Sequence, residues 1–313
     1  VLAYVVRRLF ATIAVMAVVA VVVFSLLYFT PGDPAAVLAG DAATGDDIAR
    51  IREKLGLDQP FFVRLGAWAW ALAHGDLGTS IFTNLPVTQL IGQRIEPTLS
   101  LTLCTLLLSV AVAVPLGVLA AARAGSWIDR LVMAFSVLGF SVPVFVLAYG
   151  LILTFSIRLD WLPVQGYRSI GEGLWEWLRH LILPSIALGT VYIALIARIT
   201  RASMLDVLAQ DYIRTAQAKG LAPAGVVVGH ALKNAAVPIM TIVGIGIALL
   251  IGGAIVTETV FAIPGVGRLT VDAILRRDYP IIQGVILMFS GAYVLINLAV
   301  DLSYMLFDPR IRY

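Results

Sequence analysis

The sequence predicts an all-α polytopic membrane protein with six transmembrane helices, and three observations carry that prediction. Of its 313 residues 60% are hydrophobic and only 13% charged, with a mean hydropathy of +0.95, whereas a soluble domain carries roughly 25% charge. The apolar residues are also gathered into runs. Leu9–Thr30, Pro97–Ala122, Leu131–Ile157, Leu181–Ala197, Ala235–Thr257 and Tyr279–Val300 contain no Asp, Glu, Lys or Arg. Each approaches or exceeds the ~20 residues that cross a hydrocarbon core as a helix. Finally, none of these runs alternates with period two, and in lipid only helices and closed barrels satisfy the whole backbone.

The first run is long for a cleaved leader, and "FTPGDP" lacks a small-x-small cleavage pattern, so it reads as a retained span. "TPGDP" stops it with two prolines and a glycine. A long segment follows, Pro31–Glu96. Thr44 with Asp47 three residues on resembles a capping box; Ile48, Ile51 and Leu55 then mark a helical face ended by Gly56. Pro60 opens a second helix carrying Phe61, Leu65, Trp68 and Leu72, up to "HGDLG", and Val87, Leu90 and Ile91 mark a third. Their apolar, Trp-bearing faces are expected on the membrane surface or against the spans. Asp46, Arg50, Arg52 and Lys54 are exposed charges available to a soluble partner.

A second polar segment, Arg198–Asn234, separates the fourth and fifth spans. Leu205, Leu208, Ala209, Tyr212, Ile213 and Ala216 fall on one helical stripe, with Asp206, Gln210, Asp211, Arg214 and Gln217 opposite. Gly220 suits the left-handed residue that ends a helix, and Pro223 the first turn of the next. The pattern is helix, glycine break, helix. On pattern alone it is either a connector anchored in the interface or a helix with one face offered to a partner.

Lys and Arg divide eleven to eleven between the two sides, but five of one set lie in Pro31–Glu96, a loop too long for the positive-inside rule to weigh. Discounting them leaves eleven against six, which puts both termini inside; five acids lie inside and fourteen outside. The expected organisation is a first span to residue 30, an extracytoplasmic segment 31–96, and a five-helix core 97–306 that includes the loop 198–234. A cytoplasmic tail, 307–313, ends it.

The chain shows no chemistry of its own. It has no Gly-rich phosphate loop followed by Lys and Ser/Thr, and His74, His180 and His230 are far apart in sequence. No nucleophile set assembles, and Cys104 lies within a span, so neither metal nor disulfide is expected. Glu258 and Asp301 lie at helix ends, where capping or ion pairing is the expected role. Pro115, Pro143, Pro184 and Pro238, with the glycines of Val243–Gly253, permit kinks and close helix contacts. If solute moves, the energy enters from outside the chain.

"DYIRTAQAKGLAPAGVVVGHALKNAAVPI" (Asp211–Ile239) resembles the EAA loop of ABC-importer permeases, in the version of the oligopeptide/dipeptide/nickel family. Thr215 and Ala216 fall at the alanines of the triplet and Gly220 at its glycine, and His230, Leu232 and Asn234 match later positions. Arg214 stands where the general pattern has glutamate, and Lys233 where proline is common. "LGLDQP", "GDLGTS", "GSWIDR", "SVPVF", "RITRASMLDVL", "GGAIVTETVFAIPGVGRL", "RDYPIIQG" and "NLAVDLSYMLFDPRIRY" extend the resemblance nearly end to end.

The resemblance implies a type I ABC-importer permease in a bacterial inner membrane, non-catalytic and without cofactor, since ATP and Mg are bound by partner ATPases. It implies a homologous second permease, two ATPase subunits, an extracytoplasmic solute-binding protein and no nucleic acid. ATPase coupling would fall on Tyr212, Arg214, Thr215, Ala216, Lys219, Gly220, His230 and Asn234, and binding-protein docking on Arg50, Arg52 and Lys54. The implied cargo is dipeptides or oligopeptides, with nickel chelates, glutathione and oligosaccharides as alternatives. From other classes, an ATPase-independent secondary carrier and a membrane-bound sensor are the rivals.

Overall fold

The computed structural model describes residues 2–29, 33–39, 43–54 and 56–307. The "TPGDP" stop at Thr30–Gly32, Leu55 and the tail beyond Phe307 lie outside the described residues, as do the side chains of Lys54 and Asp301. Among the described residues twelve α-helices follow in order: α1 (Leu2–Phe29), α2 (Pro34–Ala39), α3 (Gly45–Lys54), α4 (Phe61–Ala73), α5 (Val87–Ala122) and α6 (Trp127–Ser141), then α7 (Val144–Leu151), α8 (Leu174–Leu208), α9 (Asp211–Ala218), α10 (Leu232–Val260), α11 (Val266–Arg276) and α12 (Tyr279–Phe307). π-helical turns extend α7 over Ile152–Arg158 and precede α10 over Gly225–Ala231.

Among the described residues four helical stretches are long and apolar enough to cross a membrane: Val87–Ala122, Leu174–Leu208, Gly225–Ile247 and Tyr279–Val300. The first expected span falls in α1, whose 28 residues exceed the ~20 required. The third is not straight. Trp127–Ser141 and Val144–Arg158 are bent by 102°. The cause is Pro143, which cannot donate to the helix ladder and pushes the residue before it out of the helical region. Val142 is extended, at ψ 120°.

Packing gathers the chain into two units, Val1–Glu96 with Gly265–Val294, and Pro97–Pro264 with Leu295–Tyr313. In the first, Thr44 caps α3. Asp47 N donates to Thr44 Oγ1 (3.3 Å), and Thr44 Oγ1 donates back to the Asp47 carboxylate (2.6 Å). The Thr44 side chain, then its backbone N–H, hold the Asp47 carboxyl below its usual range. A depressed folded value means the cap's contribution is present above the ordinary carboxylate range and fades as pH falls through the folded value. Gly56, at φ +65°, turns the chain after α3, and α4 packs on α1. The buried core of this unit joins Val87, Leu90 and Ile91 to Val266, Leu269, Ile281 and Val285. Those first three residues do not form a separate short helix. They are the opening turns of α5, which runs through Pro97 and Pro115. Membrane helices tolerate proline where neighbouring groups take up the freed carbonyls.

Asp278, between α11 and α12, is 2% exposed. Its carboxylate accepts from Ser80 Oγ (2.5 Å) and from the Ile81 N–H (3.3 Å). Ser80 Oγ in turn accepts from the Thr83 N–H (3.1 Å), so one hydroxyl organises the loop and latches it to Asp278. Ser80→Ala removes the side-chain donor and leaves a buried carboxylate under-bonded, at about 1–3 kcal/mol. Amide exchange should then rise over residues 76–86 while α8 stays protected. Equal protection of that loop in wild type and variant would show that the latch is idle.

The second unit is organised around α8. Fourteen of its residues are buried, from Leu181 to Met204. Glycines on three neighbours give way to it. A Cβ on Gly117 of α5 would lie 2.6 Å from Ala197 O, one on Gly139 of α6 would lie 3.0 Å from the Ala194 Cβ, and one on Gly253 of α10 would lie 2.9 Å from Leu188 Cδ1. Small residues at crossings let helix backbones approach, which is the main source of association where no water is left to exclude. The connection between α7 and α8 is fastened to this bundle as well. Gly166 N–H donates to Phe261 O (2.8 Å), and Tyr167 Oη lies 3.0 Å from Ser100 Oγ, which also accepts from Trp177 Nε1 in the first turn of α8 (3.1 Å). Glu258, expected to cap or pair at a helix end, lies inside the last turn of α10 with no exposure, accepting from Thr98 Oγ1 (2.6 Å).

Candidate coupling site

The stripe from Leu205 to Ala216 is not one helix. α8 ends at Leu208, and Gln210 is extended (ψ 149°) as the residue that starts α9. The side-chain amide of Gln210 donates to Asp206 O (3.3 Å), offering the backbone a local alternative to continued helix. α9 is therefore an independent two-turn helix with its own two faces. Ile213 is fully buried and Ala216 nearly so, in a core shared with Met204, Val226 and Ala231. Tyr212, which the stripe placed inside, is 44% exposed because the break rotates α9 relative to α8. Leu205 and Leu208 pack on the core from α8, and Ala209 is exposed.

Gly220 ends α9 in the left-handed region at φ +81°. Its N–H donates to Gln217 O (2.9 Å) and the Leu221 N–H to Ala216 O (3.4 Å), the pair of bonds that defines a Schellman cap. The space beside Gly220 is open, so the requirement there is conformational rather than steric. Pro223 enters the first turn of the next helical stretch, as expected. That stretch is not a separate short helix: it continues through the π-helical turn into α10. α9 packs against this turn.

The expected coupling residues separate by role. Tyr212, Arg214, Thr215 and Lys219 are exposed, Ala216 roots the helix, and Gly220 makes the bend. Arg214 pairs with Asp211 at 3.3 Å, and both are mostly exposed. Such a pair holds little energy and leaves the guanidinium free to exchange partners. His230 and Asn234 lie one turn apart and exposed, Asn234 Nδ2 donating to His230 O (2.7 Å). Of the three docking residues, Arg50 is exposed beside Asp47 (3.9 Å), whereas Arg52 is already paired with Asp33.

Sequence reasoning missed one interaction near this loop. Asp129, on the first turn of α6, forms a two-pronged ion pair with Arg201 of α8: Nε donates to Oδ1, and an Nη to Oδ2 at 2.8 Å. The Gly125 N–H adds a third bond to the carboxylate (2.9 Å). "GSWIDR" holds the local signal, Ser126 capping α6 three residues before Asp129. Nothing local points to a partner 72 residues away.

Bent and glycine-packed apolar helices, with a short two-faced helix set between two of them, are the architecture of an integral membrane protein. Residues 113–313 match the family described as "Binding-protein-dependent transport system inner membrane component", and residues 1–102 match its N-terminal counterpart. The chain belongs to that family: it is a permease subunit of an ABC importer, a multi-pass protein of the inner membrane. Membership implies ATPase and substrate-binding partners in general terms. A "Probable peptide ABC transporter permease protein" of Sinorhizobium fredii is 57% identical over 310 residues, covering 99% of each chain. The dipeptide transport system permease protein of Alkalihalophilus pseudofirmus is 43% identical over 332 residues, covering all of both. The glutathione transport system permease protein of Salmonella paratyphi A is 43% identical over 310 residues, covering 99% of each. The fold is shared with a chain of the MetNI methionine ABC transporter in an inward-facing form, at TM-score 0.59 and 19% identity, over 71% of this chain and 97% of that one.

Proposed function

We propose that this subunit carries dipeptides and oligopeptides inward and forms half of the translocation pathway beside a homologous permease. Two ATPase subunits would act on α9, and a solute-binding protein would deliver cargo at the segment 31–96, with Arg50 contributing to its docking. Both termini lie in the cytoplasm in this reading. The subunit itself is non-catalytic, and ATP and Mg are bound by its partners. The single observation that supports it best is α9 itself: rooted through Ile213 and Ala216, bent sharply at Gly220, and exposing Tyr212, Arg214, Thr215 and Lys219 to a partner. A helix so rooted transmits a push to α8 and α10, where a loose connector would absorb it. The peptide cargo rests on near full-length similarity to permeases named for peptides and dipeptides.

Ala216→Asp places a charge in the core beneath α9, and Gly220→Ala asks an L-residue to hold the left-handed conformation, at roughly 1–2 kcal/mol. In the reconstituted importer the first should abolish transport and the second reduce it severalfold. Both should lower the stimulation of ATPase activity by loaded binding protein. Full coupling in both variants would remove α9 from the mechanism. Side assignment is checked in a Cys104→Ala background with single cysteines at Thr44 and Gln217. An impermeant thiol reagent added outside should label the first and not the second; the reverse pattern inverts the topology. Cargo is decided by titrating the cognate binding protein with dipeptides and longer peptides, then with glutathione, a nickel chelate and an oligosaccharide.

A further inference from the structure

We infer that α4 is a half-length helix embedded in one leaflet, its outward face against lipid acyl chains beside the C-terminal end of α1. Of its 13 residues only Arg64 is ionisable. One side meets α1: Phe61 and Trp68 lie 5.6 and 5.3 Å from the ring of Phe24. The opposite side is apolar without interruption. Phe62, Val63, Ala67, Ala69, Trp70 and Ala73 are all exposed, Phe62 at 81% and Trp70 at 71%. A helix apolar all round is stable only when buried on every side. At about 20 Å long, α4 is too short to cross a ~30 Å hydrocarbon core.

The occupant follows from continuity with the surface of α1. That span exposes Val18, Val22 and Phe29 on one side, the face a membrane helix turns to lipid. Phe29 stacks on Phe61 at 6.0 Å and Phe61 meets Phe62 at 5.3 Å, so the apolar surface passes from α1 onto α4 without a polar step. A soluble partner would need a polar rim, and the outward face supplies none. The ends of α4 match an interfacial depth. Arg64 lies over the ring of Tyr28 (5.2 Å), and Trp70 meets His74 at 4.5 Å, with His74 Nδ1 bonded to Trp70 O (2.8 Å). Aromatic rings beside polar groups are what an acyl–headgroup boundary selects. α3, by contrast, carries exposed charges, Asp46 and Arg50 among them.

The test uses the complete importer in nanodiscs, with Cys104→Ala in this subunit and nitroxide labels placed singly at Val63, Ala67, Trp70 and Ala73, and at Arg50 for reference. Collision with oxygen and with a water-soluble nickel chelate is read for each. The α4 labels should gain oxygen access and lose nickel access relative to Arg50, while remaining mobile on the outer side of the helix. Nickel access equal to that of Arg50 would place α4 in water and overturn the inference. Labels immobile and shielded from both reagents would also overturn it, by showing a protein partner. The inference rests on the proposed topology only for which leaflet is meant, and the depth measurement is independent of that.

Discussion

Arg201→Ala should be among the most damaging single substitutions in this protein. It strips a carboxylate that is only 6% exposed of both bonds to its charged partner, leaving the Gly125 N–H as its remaining fixed donor. Breaking a buried pair from one side costs roughly 3–5 kcal/mol. Arg201 is itself a quarter exposed, so the lower end of that range is expected. Arg201→Lys should recover little, since a point charge cannot reproduce the two-pronged grip of the guanidinium. The pair fixes the α5–α6 turn to α8 seven residues before α8 ends and the chain enters α9. An importer assembled with surviving Arg201→Ala subunit should therefore also show ATP hydrolysis by its ATPases poorly coupled to transport. Thermal unfolding of Arg201→Ala, Asp129→Ala and the double variant forms the decisive cycle. Losses in the double variant well below the sum of the single losses establish the pair, and simple addition would show that it contributes nothing.

Gly117→Leu should prevent the second unit from assembling, and even Gly117→Ala should harm it. The added Cβ would sit 2.6 Å from the backbone oxygen of Ala197 and 2.6 Å from the Cβ of Thr200. Neither is the end of a flexible side chain, so α5 and α8 must separate. Overpacking of this kind costs about 1–3 kcal/mol and occasionally more, and here it strikes the helix on which the whole unit is packed. Gly150→Ala is the matched control, because a Cβ there meets nothing within 4 Å. Yield of folded protein from the membrane and midpoint of thermal unfolding should fall steeply for Gly117→Leu, measurably for Gly117→Ala, and not at all for the control. Equal behaviour of the Gly117 and Gly150 variants would mean that the two helices have slack at this crossing.

Much of this protein was legible from its residues alone, because the relevant physics is local. A bilayer demands long apolar helices, and the uncharged runs fall in apolar helices, four of them long enough to cross among the described residues. Thr44 with Asp47, Pro60 before α4, and Gly220 after α9 were each readable as punctuation, since caps and left-handed turns depend on residues within one helical turn. The amphipathic segment was recognisable for the same reason, down to Ala216 facing in and Arg214 facing out.

What required tertiary structure was every choice between two locally acceptable outcomes. Pro115 is carried through α5 while Pro143 breaks α6 from α7, although both are prolines in apolar surroundings. The helical stripe ran unbroken through Gln210, and the chain bends there because Ile213 and Ala216 are held by a core that includes Val226 and Ala231. Asp129 finds Arg201 across 72 residues, and Ser80 finds Asp278 across 198. Glu258 is a buried acceptor to which α5 brings the hydroxyl of Thr98. Hydropathy and periodicity state what each segment tolerates; which tolerated state it adopts is set by the distant groups that fill its remaining hydrogen bonds and contacts.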